Sequence, residues 1–321
     1  MRFGFAFLFW LVASACLAQT PYPNRPVRIV VTFTPGGAAD FTARLLADKW
    51  SELWQQQVIV ENRIGAGGSI GAEVVQKAPA DGYTLLLIAS AHAFNAALYP
   101  KLPFDILKDF VPVGLATSTP IALAVNPRLA VNNLAEFTTL LQAQPHKLSY
   151  ATCGVATTQH LAMELYKFET KTDALHVPYR GCGPAVVDAV GGQIDVVASS
   201  LTTVLPHAKA GKLRVLAITS MNRSSSAPDV PTFRESGVAA LKDYEVEVYY
   251  GLMARAGTPP DIVARLQADL RKIIGTPEFA GRLSTAGIDM FAKSAPEMAA
   301  IMSADVARFR EVIAQAGIRP E

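Results

Sequence analysis

Three times along this chain a β-branched or apolar run stops at a glycine-rich turn, and a helical pattern starts straight after it. The first instance sets the rule. Val27-Arg28-Ile29-Val30-Val31-Thr32-Phe33 has strand composition and ends at Pro35-Gly36-Gly37, while from Ala38 onward Phe41, Leu45, Leu46, Trp50, Leu53 and Trp54 recur at helical spacing. A strand at 57–61, the turn Gly65-Ala66-Gly67-Gly68 and a helix ending at Lys77 repeat it, and Asp81-Gly82 then turns into an apolar strand at 83–88. Further strands are expected at 121–125, 147–152, 174–177, 194–198 and 213–219, with helices at 134–143, 157–167, 184–190 and 204–210 between them. Asn133 is the natural cap of the first of these helices. Strands alternating with helices of about ten residues can be joined only by crossovers, which predicts an α/β chain of parallel-rich sheets with helices on both faces. The Ser/Pro-rich stretch 221–231 reads as a loop or crossing, followed by a strand at 245–253 and helices at 260–274, 277–286 and 295–316.

At 321 residues the chain is long for a single core, so two lobes are expected. Half its residues are hydrophobic, 17% are charged, and the net charge of +2 is spread along the sequence. No basic stripe exists, which excludes nucleic acid as a partner.

The N-terminus has the form of an export signal spanning 1–18. Arg2 is its positive start, 3–12 its apolar stretch, and Cys16-Leu17-Ala18 a small-residue cleavage site. Ala13-Ser14-Ala15-Cys16 offers a lipoprotein box as the alternative, with Ala where Leu is usual. A buried helix is opposed by the prolines of Thr20-Pro21-Tyr22-Pro23-Asn24-Arg25-Pro26. Cleavage near Ala18 predicts a periplasmic chain retaining Cys153 and Cys182. Pairing is the default in an oxidising compartment, and two buried thiols are the alternative.

Thr34-Pro35-Gly36-Gly37-Ala38-Ala39-Asp40 is the most informative turn. Free backbone N–H groups at a helix start bind carboxylates without a cationic side chain. The competing reading is a plain tight turn. Gly-Lys-Ser/Thr is absent, which disfavours a nucleotide-phosphate loop. Gly65-Ala66-Gly67-Gly68-Ser69-Ile70-Gly71 has the wrong spacing for a dinucleotide fingerprint and no acidic residue ending the next strand, so it reads as a packing turn. Two further small-residue turns, 150–158 and 177–184, could face the other end of a ligand through Thr hydroxyls and amides. Tyr179 could wall a pocket and Arg180 could pair with an acid, although a solvated arginine is the commoner outcome. The five histidines include no pair at metal-ligand spacing, and neither a metal nor another cofactor is expected. A second reading from a different class is an exported α/β hydrolase using Cys153 with His160, or with His176, which requires a free thiol.

Taken together, the motifs resemble the Bug family, the periplasmic solute receptors of tripartite tricarboxylate transporters. Arg25-Pro26-Val27-Arg28-Ile29-Val30-Val31, Pro35-Gly36-Gly37-Ala38-Ala39-Asp40, Val60-Glu61-Asn62-Arg63 and Gly65-Ala66-Gly67-Gly68-Ser69-Ile70-Gly71 carry the likeness in the first third. Asp81-Gly82-Tyr83-Thr84-Leu85, Leu98-Tyr99-Pro100-Lys101-Leu102-Pro103-Phe104-Asp105, His176-Val177-Pro178-Tyr179-Arg180-Gly181 and Gly191-Gly192-Gln193-Ile194-Asp195 extend it through the mature chain. The resemblance implies a two-lobed periplasmic binding protein type II fold, with one lobe at 22–122 and 225–321 and the other at 123–224. It implies no catalysis. The ligand would be a small carboxylate such as a dicarboxylate or acidic amino acid, and the partner a membrane permease or a sensor protein. The chain itself is expected to be a monomer.

Carried over from the family, the first lobe's ligand contacts would be Phe33, Thr34, Pro35, Gly36, Gly37, Ala38 and Asp40, with Ser90, Ala91 and His92. The second lobe's would be Thr152, Cys153, Thr157, Thr158, Tyr179 and Gly181, with Ser199 and Ser200. Thr34, Cys153, Cys182, Val155-Ala156 and Ala198-Ser199-Ser200 depart from the commoner family pattern on these turns, so they bear on which ligand is chosen. In such a fold both Cys-bearing turns approach the cleft from one lobe, which implies a Cys153–Cys182 disulfide.

Overall fold

The computed structural model describes residues 22–99, 101–155 and 157–316. The expected export signal lies outside them. Strand β1 (Val27–Val31) leads through the first glycine turn into helix α1 (Ala38–Trp54), and β2 (Val58–Asn62), α2 (Ser69–Lys77) and β3 (Thr84–Ala89) follow. Helix α3 (Ser90–Leu98) precedes a long strand β4 (Phe110–Val125). Then come α4 (Leu134–Ala143), β5 (Ser149–Thr152), α5 (Thr158–Thr170), β6 (Leu175–Pro178), α6 (Cys182–Gly191), β7 (Val196–Ser200), α7 (Leu201–Lys209) and β8 (Arg214–Ile218). The chain closes with β9 (Glu247–Arg255), α8 (Pro260–Ile274), α9 (Pro277–Ala286), β10 (Asp289–Lys293) and α10 (Ala295–Ala316).

The sequence chemistry accounts for these elements. In α1 the apolar stripe turns Leu45, Leu46 and Trp50 inward, and Trp54 donates from Nε1 to Asp269 Oδ2 of α8 at 2.7 Å. Asn133 caps α4 by accepting from Glu136 N at 2.8 Å, and prolines open α8 and α9 at their first turns.

β1 pairs in parallel with β2 and β3, and β5 pairs in parallel with β6 and β7. The ladders between these two parallel groups are antiparallel and all involve β4 or β9. β4 is shared by both halves of the sheet. Its residues 110–120 pair with β9, and from Ile121 onward it pairs with β7 and β8 instead. The expected strand at 121–125 is thus the last third of a strand about three times as long. Pro112 and Gly114 flank a register shift, the kind of irregularity at which a strand tolerates proline.

The returning segment is tied to β4 by one side chain. Thr219 N donates to the Ile121 carbonyl at 2.9 Å, and Ile121 N donates to Thr219 Oγ1 at 3.1 Å. The same hydroxyl donates to the Val246 carbonyl at 2.5 Å, while Val246 N donates to the Thr219 carbonyl at 3.2 Å. Both connections between the halves therefore meet at Thr219. α10 packs on α3, with Phe94 and Phe309 edge to face at 5.9 Å.

Candidate functional site

A cleft of about 920 Å³ lies where the two halves of the sheet face each other. Its wall is made by helix starts. Gly37, Gly68 and Ala89 are the N-cap residues of α1, α2 and α3, and all three are on the wall. Thr157, Gly181 and Ser200 are the N-caps of α5, α6 and α7, and they are on it as well. Thr157 alone among the six caps a backbone amide of its own helix with its side chain, accepting from His160 N at 3.3 Å. At the other helix starts the cap residue makes no side-chain hydrogen bond to the helix backbone, so first-turn N–H groups there have no intrahelical partner beside the cleft. Six helix dipoles present partial positive charge to one space, and among the described residues the wall carries no Lys, Arg, His, Asp or Glu.

Of the sequence-derived contacts, Phe33, Thr34, Gly36, Gly37, Ala38 and Ala91 line the first side of the cleft. Cys153, Thr157, Thr158, Gly181 and Ser200 line the second. The remaining seven are not on the wall. Pro35 is exposed beside it. Asp40 is buried beneath its own turn, where Oδ2 accepts from Gly36 N at 3.0 Å and from Arg44 Nε at 2.9 Å, and Oδ1 accepts from Asn62 Nδ2 at 3.0 Å. Burial raises the Asp40 pKa, but the hydrogen bonds from Arg44, Gly36 and Asn62 outweigh it and hold the carboxyl below its ordinary range. Asp40 shapes the turn rather than touching its contents.

His92 is likewise a support. Its Nδ1 accepts from Ala89 N at 3.1 Å, its Nε2 lies 3.2 Å from Thr32 Oγ1, and burial pulls its pKa down to about 4, so the ring is neutral. Gly68 sits on these two side chains with φ +99°, and an added Cβ would meet Thr32 Oγ1 at 3.0 Å and His92 Nε2 at 3.1 Å. Only glycine fits there. Thr152 Oγ1 is 2.7 Å from His176 Nε2 below the second side, and Ser199 is fully buried. Tyr179 turns away to donate to Asp188 Oδ2 at 2.7 Å, and Arg180 is exposed. Ser90 is buried at the cleft floor, with its Oγ 3.2 Å from Thr158 Oγ1 across the two halves.

Several wall residues escaped the sequence reading. Gly67 and Gly68, read as a packing turn, are on the wall, whereas Gly71 does pack tightly against the Arg63 carbonyl. Val248 and Tyr250 of β9, and Ile288 beside β10, complete the apolar part of the cleft. Alternation along β9 could have suggested that Val248 and Tyr250 share a face, although not which face meets a ligand.

Cys153 and Cys182 form a disulfide, with Cα atoms 4.2 Å apart and a sequence separation of 29. It joins the start of the β5–α5 turn to the first residue of α6. The hydrolase reading fails on it, because no thiolate is available. His160 does not serve Cys153 either. Its ring stacks on His176 with centroids 3.9 Å apart, and burial, together with the Lys167 charge, brings its pKa to about 4. Among the described residues no group of His, Cys, Asp and Glu is arranged to hold a metal ion.

Residues 42–318 match the profile of the tripartite tricarboxylate transporter family receptor. The chain belongs to that family. As a receptor of this kind it is a solute-binding protein and not an enzyme. BugT of Bordetella pertussis is 33% identical over 96% of this chain and 94% of its own length. The solved structure "R. palustris Rpa4515 with adipate" is 33% identical to this receptor, with a TM-score of 0.81 over 94% of this chain and all of its own. MatC from Rhodopseudomonas palustris, solved with bound malate, is 30% identical with a TM-score of 0.76 over 91% of this chain and all of its own. These likenesses establish the two-lobed periplasmic-binding-protein fold for the receptor.

Proposed function

We propose that this receptor captures a small carboxylate in the cleft and presents it to a membrane permease of a tripartite transporter or to a sensor protein. The reading rests on one observation above all. Six helix N-termini converge on a wall with no ionised side chain, an arrangement suited to an anion held by backbone amides. Support also comes from two family members, whose structures hold adipate and malate. The chain acts as a monomer in the periplasm, and no helix among the described residues is long and apolar enough to cross a membrane. Its lobes, 22–122 with 225–321 and 123–224, close about the Thr219 junction. Wall residues Gly36, Gly37, Ala38, Thr158, Gly181 and Ser200 make contacts to the ligand, while Asp40, His92 and Thr152 hold the turns.

A thermal-shift screen of the purified mature chain against millimolar mono- and dicarboxylates tests this. A ligand of the folded state raises the melting temperature, and about 2.7 kcal/mol is gained at a hundredfold excess over Kd. No shift with any carboxylate, and none in native mass spectrometry, would remove the reading.

A further inference from the structure

We infer that the Cys153–Cys182 disulfide is a modification site, at which a small thiol entering the cleft adds to Cys153 and frees Cys182. Exposed disulfides are the ones that exchange readily with small thiols. This one is open to the cleft, because both cysteines line it and both are half-exposed. Space lies on either side of Cys182, where a Cβ added at Gly181 or at Gly183 would meet nothing within 4 Å. The turns that carry the two sulfurs are also held together without the S–S bond. Gly181 N donates to the Cys153 carbonyl at 3.0 Å, and Tyr179 N donates to the Thr152 carbonyl at 3.2 Å.

The two sulfurs are not equivalent. Exchange is fastest when the departing sulfur is the better stabilised thiolate. Cys182 is the first residue of α6, a helix of ten residues whose N-cap makes no side-chain hydrogen bond. The amides of Cys182 and Gly183 have no acceptor within the helix, and Pro184 has no N–H. Two donors and the positive end of the helix dipole thus favour a thiolate on Cys182. Cys153 stands in the turn ahead of α5, and its sulfur has the Ser199 hydroxyl 3.9 Å away, a single donor at the limit of reach. The incoming thiolate therefore attacks Cys153 Sγ and forms a new S–S bond there. The old bond breaks, and its electron pair leaves on Cys182 Sγ. While Cys153 carries the added group, that group stands in the cleft. A second thiolate that attacks the added sulfur releases Cys153 as a thiolate and the small molecule as its own disulfide. Two equivalents of thiol are then oxidised, and the protein disulfide is reduced by two electrons.

Treatment of the native mature chain with glutathione at neutral pH, without denaturant, tests this once the products are trapped with iodoacetamide and mapped by mass spectrometry. In the singly glutathionylated protein, glutathione should be on Cys153 and the alkyl group on Cys182. Glutathione mainly on Cys182, or no reaction until denaturant is added, overturns the inference. Serine variants isolate each thiol for a second test. The Cys182 thiol of Cys153→Ser should react with iodoacetamide at pH 6 at least about threefold faster than the Cys153 thiol of Cys182→Ser. Equal rates or the reverse order overturn the inference, and neither experiment depends on what the cleft binds.

Discussion

Ser90 and Thr158 share a hydrogen bond of 3.2 Å, joining the first residue of α3 to the first residue of α5 across the floor of the cleft. It is buried, and it links helix starts from opposite halves of the sheet. Ser90 is not on the wall, so Ser90→Ala removes the bond without removing a ligand contact. One such bond contributes about 1 kcal/mol. Carboxylate affinity in the variant should fall roughly fivefold to tenfold by calorimetry. Unchanged affinity would mean that the contact plays no part in closure.

The Asp40 carboxylate holds the first turn through Gly36, Arg44 and Asn62. Its folded pKa is lowered, so its stabilisation is present above the unfolded carboxylate value and is lost as pH falls through the folded one. Asp40→Asn should lose about 1 to 3 kcal/mol at neutral pH and weaken ligand binding, because the turn amides lose their anchor. Denaturant titration at pH 7 and pH 3 should show the gap between wild type and variant narrowing in acid.

His92 moves stability in the same direction as Asp40, but over a higher range of pH. Its folded pKa of about 4 lies below the ordinary 6.5, so the unfolded chain takes up a proton between these values and the folded chain does not. Stability should therefore fall as pH drops from 6.5 toward 4, by on the order of 3 kcal/mol from this one buried ring. In His92→Gln that share of the pH dependence should vanish, as denaturation at pH 7 and 4.5 will reveal.

The Cys153–Cys182 disulfide closes the loop between two residues separated by 29 positions in sequence. Chain entropy assigns such a loop roughly 3 to 4 kcal/mol. Reduction, or replacement of both cysteines by serine, should lower the melting temperature by roughly 5 to 12 °C. It should also loosen the second side of the cleft, weakening ligand binding more than a distant change of equal stability cost.

Much of this was readable from the sequence because local rules and tertiary packing agree. The apolar stripe of α1, the Asn133 cap and the prolines opening α8 and α9 each name their element without help from remote contacts. α3 was not readable, because His92 and Asn95 are buried and leave no amphipathic stripe over Ser90–Leu98. β4 was half hidden by Pro112, Gly114 and Pro120, whose cost the bulges and the crossing absorb. β10 is a short, half-exposed strand whose pairing with β4 is wholly tertiary. Within the site, the glycine turns announced themselves, but a turn motif does not say which of its residues points outward. Asp40, Tyr179 and Ser199 belong to recognisable turns and still face the protein, while Val248 and Tyr250 reach the wall from a distant strand.

A crystal structure of the receptor with adipate tests the backbone-amide mode of recognition most directly. The ligand's carboxylate oxygens should lie about 2.7 to 3.2 Å from helix-start amides, or from waters bridging to them, on both sides of the cleft, with no Lys or Arg side chain in contact. A carboxylate paired with an arginine or lysine, or adipate bound outside the cleft, would contradict it.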